Sequence, residues 1–539
     1  MSILDVIPFE DRTFPAVMRR AAREFGDRTF VVVGPNSITY RGFADAVSRA
    51  AGALTTLGVQ RGDVVVLMLN TRIEFPVLWF AVASLGAISA VIHPEARGDY
   101  LRHMLQVADA KLNLVESSLL ASLQAEFSAA ALAGRVVTIG VAPPESGAAG
   151  PARWEDLVRN ASPVEFADVS PADASTIMFT SGTTGRSKGV LRSHHFDFMY
   201  AALSVDGQQV KSSAIFWSPS PMSHARTASC QVFASMLVGS KVVLAERFSV
   251  SQFWSDVRAA GATHTHLSAS MLNLIARAAP GPGDRDHPLL VVHCVPPPDD
   301  PAALEKRFGL RMSVQGYGMT EIYPFPQQID QQDWSLPNNC IGRPHPLMEV
   351  RIADDFGNPV PADNTTKGEI LVRPRIPLAM LTGYYGNPTA TAEVFRDAWF
   401  HSGDLATIDA QGRVYLAGRK KDSIRRRGEN VSALEVEEAA LANIAVAEAA
   451  AYGVPSEHGE EDVKLDVVIA DGHRLSPQEL SEFLTERLPR FAWPRYVEAR
   501  AEMPHTPTYK IMKAALRESG ITAAAYDREA RTRETNGES

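Results

Sequence analysis

Phe179–Val190 reads FTSGTTGRSKGV. Gly182, Gly185 and Gly189 free backbone N–H groups to face a ligand, while Thr180, Ser181, Thr183 and Thr184 add hydroxyl donors. Lys188 adds a positive charge, and the set makes a cradle for polyphosphate. The spacing is not GxxxxGK[ST], so this is not the usual nucleotide-triphosphate P-loop. The ordinary alternative is a flexible Ser/Thr/Gly turn. The density of hydroxyls beside Lys188 favours phosphate.

Outward from this loop, helical and strand patterns alternate. Phe14, Val17, Met18, Ala21, Ala22 and Phe25 fall at helical spacing, and Gly26 follows as a stop. Thr29–Val33 reads as a strand. Phe43, Val47, Ala50, Leu54 and Leu57 mark a helix ended by Gly58, and Asp63–Leu69 reads as a buried strand. A helix over Leu101–Ala108 precedes a strand at Leu112–Val115. Further on, Lys241–Leu244, Phe253–Ala260 and Thr263–Leu267 repeat strand, helix, strand. This alternation predicts an α/β fold with largely parallel sheets. Residues 136–170, rich in Ala, Gly, Pro and Ser, read as the approach to the loop. A boundary falls near Gly418–Asp422, giving a large N-terminal domain (1–420), a small mobile α+β C-terminal domain (421–521) and a polar, frayed tail (522–539). The best helix of the small domain is Ser476–Leu488, where Ser476, Pro477 and Glu479 make a capping box.

The 539 residues carry a net charge of −9 and a pI of about 5.9. An acidic balance argues against nucleic acid as a partner, because a phosphate backbone selects basic surfaces. Cys230, Cys294 and Cys340 are far apart and show no CxxC, which points to a reducing compartment without a disulfide scaffold or zinc site. The start, MSILDVIPFEDR, lacks the basic and apolar regions of a secretory signal. Phe75–Pro94 has no Asp, Glu, Lys or Arg and is long enough to span a bilayer. Pro76 suits a helix start, Gly86 a break and Ile88–Ile92 a strand, so a buried helix and core strand are the better reading. The expectation is a cytoplasmic protein without a transmembrane segment.

Four further motifs carry chemistry. Gln315-Gly316-Tyr317-Gly318-Met319-Thr320-Glu321 offers close backbone approach, an aromatic face for a base, and a hard oxygen ligand for Mg2+. In Trp399-Phe400-His401-Ser402-Gly403-Asp404, the carboxylate after glycine suits ribose hydroxyls. Gly418-Arg419-Lys420-Lys421-Asp422 leads to Ile424-Arg425-Arg426-Arg427-Gly428-Glu429-Asn430, and Pro507-Thr508-Tyr509-Lys510-Ile511 closes the series. Taken one at a time, these read as a tight turn, a second turn, a solvated charged face and an exposed lysine.

In order and separation the five motifs resemble the adenylate-forming superfamily: acyl- and aryl-CoA synthetases, peptide-synthetase adenylation domains and beetle luciferases. The resemblance runs from Ile38-Thr39-Tyr40 to Lys510. The GENVSALEVE stretch and Phe248–Val257 look most like CoA ligases near the carnitine/crotonobetaine branch. The resemblance implies an AMP-forming acid–CoA ligase with ATP, Mg2+ and CoA as cofactors and a small carboxylic acid as partner, the oligomeric state being left open. It assigns Thr180, Ser181, Gly182, Thr183, Thr184, Gly185 and Lys188 to the ATP phosphates. Tyr317 would flank adenine, Gln315, Gly316 and Gly318 would join the ATP site, and Thr320 would touch the α-phosphate. Glu321, joined by Thr180, would hold Mg2+. Asp404 with Arg419 would bind the ribose, and Lys510 would bridge acid and α-phosphate. Lys421 matches the hinge about which the small domain rotates between half-reactions. Rotation would bring Arg427, Gly428 and Glu429 to CoA. Arg425, Arg426 and Arg427 would attract the CoA phosphates or form a solvated face. His224, Gly316 and Met319 would meet the acid, with the helix Ala225–Met236 and Met271 completing the pocket.

Two places depart from the pattern. His293-Cys294-Val295-Pro296-Pro297 stands where relatives carry Gly-Gly-Ala-Pro beside adenine, and Tyr509 stands where they carry glycine before the lysine. Three alternatives stay open: a stand-alone adenylation protein loading a carrier protein, an oxidative luciferase, and a degenerate nucleotide-binding homologue. No anionic partner for a quaternary ammonium stands out in the pocket segments.

Overall fold

Val64–Met68 is buried at every position, the pattern of a strand covered on both faces. It belongs to a computed structural model that describes residues 2–128, 134–141, 151–180, 187–295, 297–298, 300–326, 333–420, 423–426, 429–456, 461–488, 492–506 and 509–530. The chain forms two compact units. The first contains Met1–Thr180, Ser187–Glu349 and Pro374–Glu393, and the second contains Val350–Arg373 and Val394–Ser539.

Two sheets organise the first unit. One runs in the order Gly383–Tyr384, Gly189–Ser193, Ala174–Phe179, Ile88–Val91, Val64–Met68, Leu112–Glu116, Val136–Ile139, Ala152–Arg153. From Ala174–Phe179 onward all neighbours are parallel, while the first two junctions are antiparallel. The segment 180–188, part of the FTSGTTGRSKGV stretch, joins the antiparallel strands Ala174–Phe179 and Gly189–Ser193. The segment expected only as an approach to that stretch instead adds a strand at Val136–Ile139 and an edge strand at Ala152–Arg153, followed by a helix at Trp154–Arg159 that buries Trp154.

The other sheet runs Arg311–Ser313, Val291–His293, His264–His266, Ile215–Ser218, Lys241–Leu244, Thr29–Val33, Asn36–Thr39, parallel except for the last pair. In open parallel sheets ligands bind beyond the carboxyl ends of the strands. Here those ends lead to His224, His266, His293 and Gln315. The apolar segment from Phe75 forms the helix Glu74–Ser84, buried throughout from Phe75 and followed by the core strand Ile88–Val91. Trp79 Nε1 donates to Thr176 Oγ1 at 2.9 Å, which ties the helix to the sheet. No helix among the described residues is long and apolar enough to cross a membrane.

In the second unit, Gly368–Pro374, Trp399–Ile408 and Val414–Arg419 pair antiparallel. A further sheet orders Val446–Pro455, Glu461–Ile469, Tyr496–Arg500 and Tyr526–Asp527. Val436, Val463, Leu465, Val467, Leu480 and Leu484 fill its core. The helix Pro477–Thr485 starts at Ser476 with the expected capping box. Part of the expected frayed tail is folded: Tyr526–Asp527 pairs with Tyr496 and Val497, and Asp527 and Glu529 pair with Arg495. Acidic side chains supply this anchoring, which a reading by polarity alone passes over.

Candidate active site

Thr180 and Lys188 are bonded to each other at the two ends of the Ser/Thr/Gly-rich segment. Thr180 N donates to Lys188 O at 3.0 Å, Lys188 N donates to Thr180 Oγ1 at 3.1 Å, and Ser187 Oγ donates to Thr180 O at 2.5 Å. Ser181, Gly182, Thr183, Thr184 and Gly185 lie outside the described residues. Lys188 Nζ stands 4.6 Å from the centroid of the Tyr384 ring, a cation over an aromatic face. The Tyr384 hydroxyl donates to Glu321 Oε1 at 2.9 Å. Burial and the Glu321 carboxylate raise the Tyr384 pKa, so the phenol keeps the proton it donates. Tyr384 lies on a short strand that pairs with Val190, and Leu381 N donates to Glu321 O at 3.0 Å. A cation, a phenol and a buried carboxylate are thereby lined up from three separate segments.

Gly316–Met319 and Ile322–Pro326 form a two-stranded ribbon. Gln315 exchanges hydrogen bonds with the Asp333 backbone at 2.9 and 3.3 Å, Tyr200 donates to Met319 O at 3.3 Å, and Tyr317 is buried. Gly318 is exposed, and Met319 and Thr320 are partly so. His224 caps the next turn, its Nδ1 accepting from Arg226 N at 3.1 Å. The helix expected over Ala225–Met236 is interrupted by a π-helical segment at Ala228–Phe233. Such insertions occur often at functional sites.

Around Arg226 lie polar groups that the motifs do not contain. His266 Nε2 is 2.9 Å from Gln208 Oε1, His293 Nδ1 is 3.1 Å from Ser313 Oγ, and the two rings are 4.8 Å apart. Burial lowers both pKa values, His293 to about 3, with Arg226 adding to the effect. Both rings are neutral near pH 7.

In the second unit, Asp404 and Arg419 are register partners on neighbouring strands, with Arg419 Nε 3.0 Å from Asp404 Oδ1. Gly403 has φ +74, a conformation that favours glycine, and its N–H donates to Glu369 Oε1 at 3.1 Å. Lys510 is exposed; its N–H donates to Thr506 Oγ1 at 3.1 Å. Lys421, Arg427 and Gly428 lie outside the described residues, as does the Glu429 side chain. Arg426 departs from both expectations, a solvated face or a CoA contact. It is 3% exposed and pairs with Asp462 at 3.1 Å and Glu529 at 3.2 Å, so its charge serves the interior.

The AMP-binding enzyme model matches residues 18–385, and the AMP-binding enzyme C-terminal domain model matches residues 435–510. A crotonobetaine/carnitine–CoA ligase of Escherichia fergusonii is 28% identical over 496 residues, covering 89% of this chain and 93% of its own. ATP-bound MatB from Rhodopseudomonas palustris has the same fold, with a TM-score of 0.80 at 23% identity over 94% of this chain and 99% of its own. The o-succinylbenzoate CoA synthetase of Bacillus subtilis in complex with its acyl-adenylate intermediate gives 0.78 at 23% identity, over 93% and 97%. The first model covers more than half of the chain and the second follows it in order: the chain belongs to the AMP-binding enzyme family.

Proposed function

We propose that this enzyme is an ATP-dependent acid–CoA ligase. The acid oxygen attacks the α-phosphorus of ATP, pyrophosphate leaves, and the CoA thiol then displaces AMP from the acyl-AMP. The observation that carries the reading is the Lys188–Tyr384–Glu321 alignment, which sets a cation and a buried carboxylate beside the base of a phosphate loop. The relatives named as CoA ligases support CoA as the acceptor. Negative charge migrates over phosphate oxygens in the first step, and fixed donors and cations supply most of the help. Thr180 and Lys188 serve the phosphates, Asp404 with Arg419 the ribose, and Lys510 the carboxylate and α-phosphate. A compact ammonium suits that moving charge.

Among the described residues no group of three or more His, Cys, Asp or Glu stands ready to hold a metal. One buried carboxylate beside a phosphate loop suits Mg2+, which keeps waters and takes its other ligands from the nucleotide. Glu321 and Thr180 would hold it, and when bound it neutralises phosphate charge. Pyrophosphate release across a panel of acids, with and without CoA, tests the reading. Acid-dependent release followed by CoA-dependent AMP release is expected. Lys510→Ala is expected to nearly abolish acyl-AMP formation and to spare thioester formation from supplied acyl-AMP. Equal loss in both steps would remove Lys510 from this role.

A further inference from the structure

The acid segment holds a cation that the adenylation step does not use. Arg226 lies two residues after His224 and is partly buried. Its guanidinium donates to Val295 O at 3.1 Å, and among the described residues no carboxylate pairs with it. A guanidinium offers five donors, so one carbonyl leaves most of its capacity open. The groups around it do not supply the missing charge. His266 and His293 end adjacent parallel strands and are kept neutral by burial, with Arg226 adding to the effect. Burial pushes the Cys230 thiol up to about 11 and Cys294 up to about 12, so both stay protonated.

A further observation points to a ligand. Gln231, on the π-helical segment about one turn after Arg226, is fully buried with neither amide atom partnered. A buried donor left unpaired is costly, and a ligand bearing acceptors offsets that cost at Gln231 Nε2.

We propose that the acid activated by this enzyme carries a second anionic group, and that Arg226 binds it; the substrate class is a dicarboxylic acid. The inference rests on the acyl-adenylate reading above. One carboxylate reacts at the α-phosphate, and the other meets Arg226. An acid bearing a quaternary ammonium meets like charge there and is disfavoured.

The test compares succinate, glutarate and adipate with butanoate, pentanoate and hexanoate, and with 4-(trimethylammonio)butanoate, in pyrophosphate release. The wild type is expected to prefer a dicarboxylate. Arg226→Met is expected to lower the ratio of kcat/KM for the dicarboxylate to that for the matched monoacid by roughly 10- to 100-fold, the scale of a lost charge-assisted hydrogen bond. Arg226→Asp is expected to move preference toward the cationic acid. Calorimetric titration of the same dicarboxylates without ATP is expected to show binding weakened in Arg226→Met. Equal losses for diacid and monoacid, or a wild type that prefers monoacids, would overturn the proposal while leaving acyl-AMP formation in place. Dicarboxylate binding that depends on Arg226, with no pyrophosphate release from any acid, would instead sink the acyl-adenylate reading.

Discussion

Tyr384 stands between two opposite charges, with its ring toward Lys188 and its hydroxyl on Glu321. Neither contact is visible in a motif, because Tyr384 lies far along the chain from both residues. The phenol fixes one oxygen of a carboxylate that is only 5% exposed. Removing the hydroxyl leaves that carboxylate short of a donor, at a cost of about 1 kcal/mol or more. Tyr384→Phe is therefore expected to lower kcat/KM for pyrophosphate release roughly tenfold. It is also expected to raise the Mg2+ concentration needed for half-maximal rate. A slower enzyme with an unchanged Mg2+ requirement would reduce Tyr384 to a packing role.

The turn that carries Lys510 takes a left-handed conformation without a glycine. Tyr509 has φ +58, the left-handed conformation that glycine adopts without penalty. A side chain there costs about 1–2 kcal/mol, and the ring is 79% exposed, so packing offsets little of it. The turn is held by Thr506 N to Lys510 O at 2.8 Å and Tyr509 N to Thr506 O at 2.9 Å. Tyr509→Gly is expected to keep pyrophosphate release near the parent rate. Tyr509→Pro, with φ fixed near −65° and no N–H, is expected to fall toward the level of Lys510→Ala. Similar rates for the two variants would show that the left-handed turn is not required. Elements were legible in the sequence where local pattern and burial agree, as in Phe14–Phe25, Val64–Met68 and Lys241–Leu244. The capping box of Ser476 could also be read, because it is a local arrangement with its own residue signature, and the family resemblance set Arg419 beside Asp404. The π-helical segment and the strand-end histidines could not. A π-turn has no distinct composition, and His266 meets His293 only through sheet pairing. Arg426 misled for the opposite reason: a run of three arginines reads as surface, yet its middle member has acidic partners from distant parts of the chain.

At the scale of the molecule, the histidines set the response to acid. His194, His195 and His264 are buried, and burial lowers each pKa to about 4. His194 Nδ1 accepts the Phe14 N–H at 3.2 Å, a bond that a proton on that nitrogen would break. Both ring nitrogens of His195 are buried without partners. In the unfolded chain these residues titrate near pH 6.5. Between about pH 6.5 and about pH 4 the unfolded state therefore binds more protons than the folded state, and stability falls as pH falls through that window. The cost is on the order of 1 kcal/mol or more per histidine toward the bottom of the window. Asp462, Glu369 and Glu498 act in a separate range. Their folded pKa values are lowered by hydrogen bonds and cationic partners that outweigh burial, so their contribution is lost only as the carboxylates themselves protonate, at lower pH. Urea unfolding at constant ionic strength is expected to show a continuous decline in stability from about pH 7 to about pH 5, before carboxylate protonation dominates. His194→Gln is expected to flatten the slope, because it removes a proton-binding difference while leaving a side-chain oxygen to accept the Phe14 N–H. A stability that stays constant across the window would mean that the folded interior admits these protons, and the assignment of neutral buried histidines would fall with it.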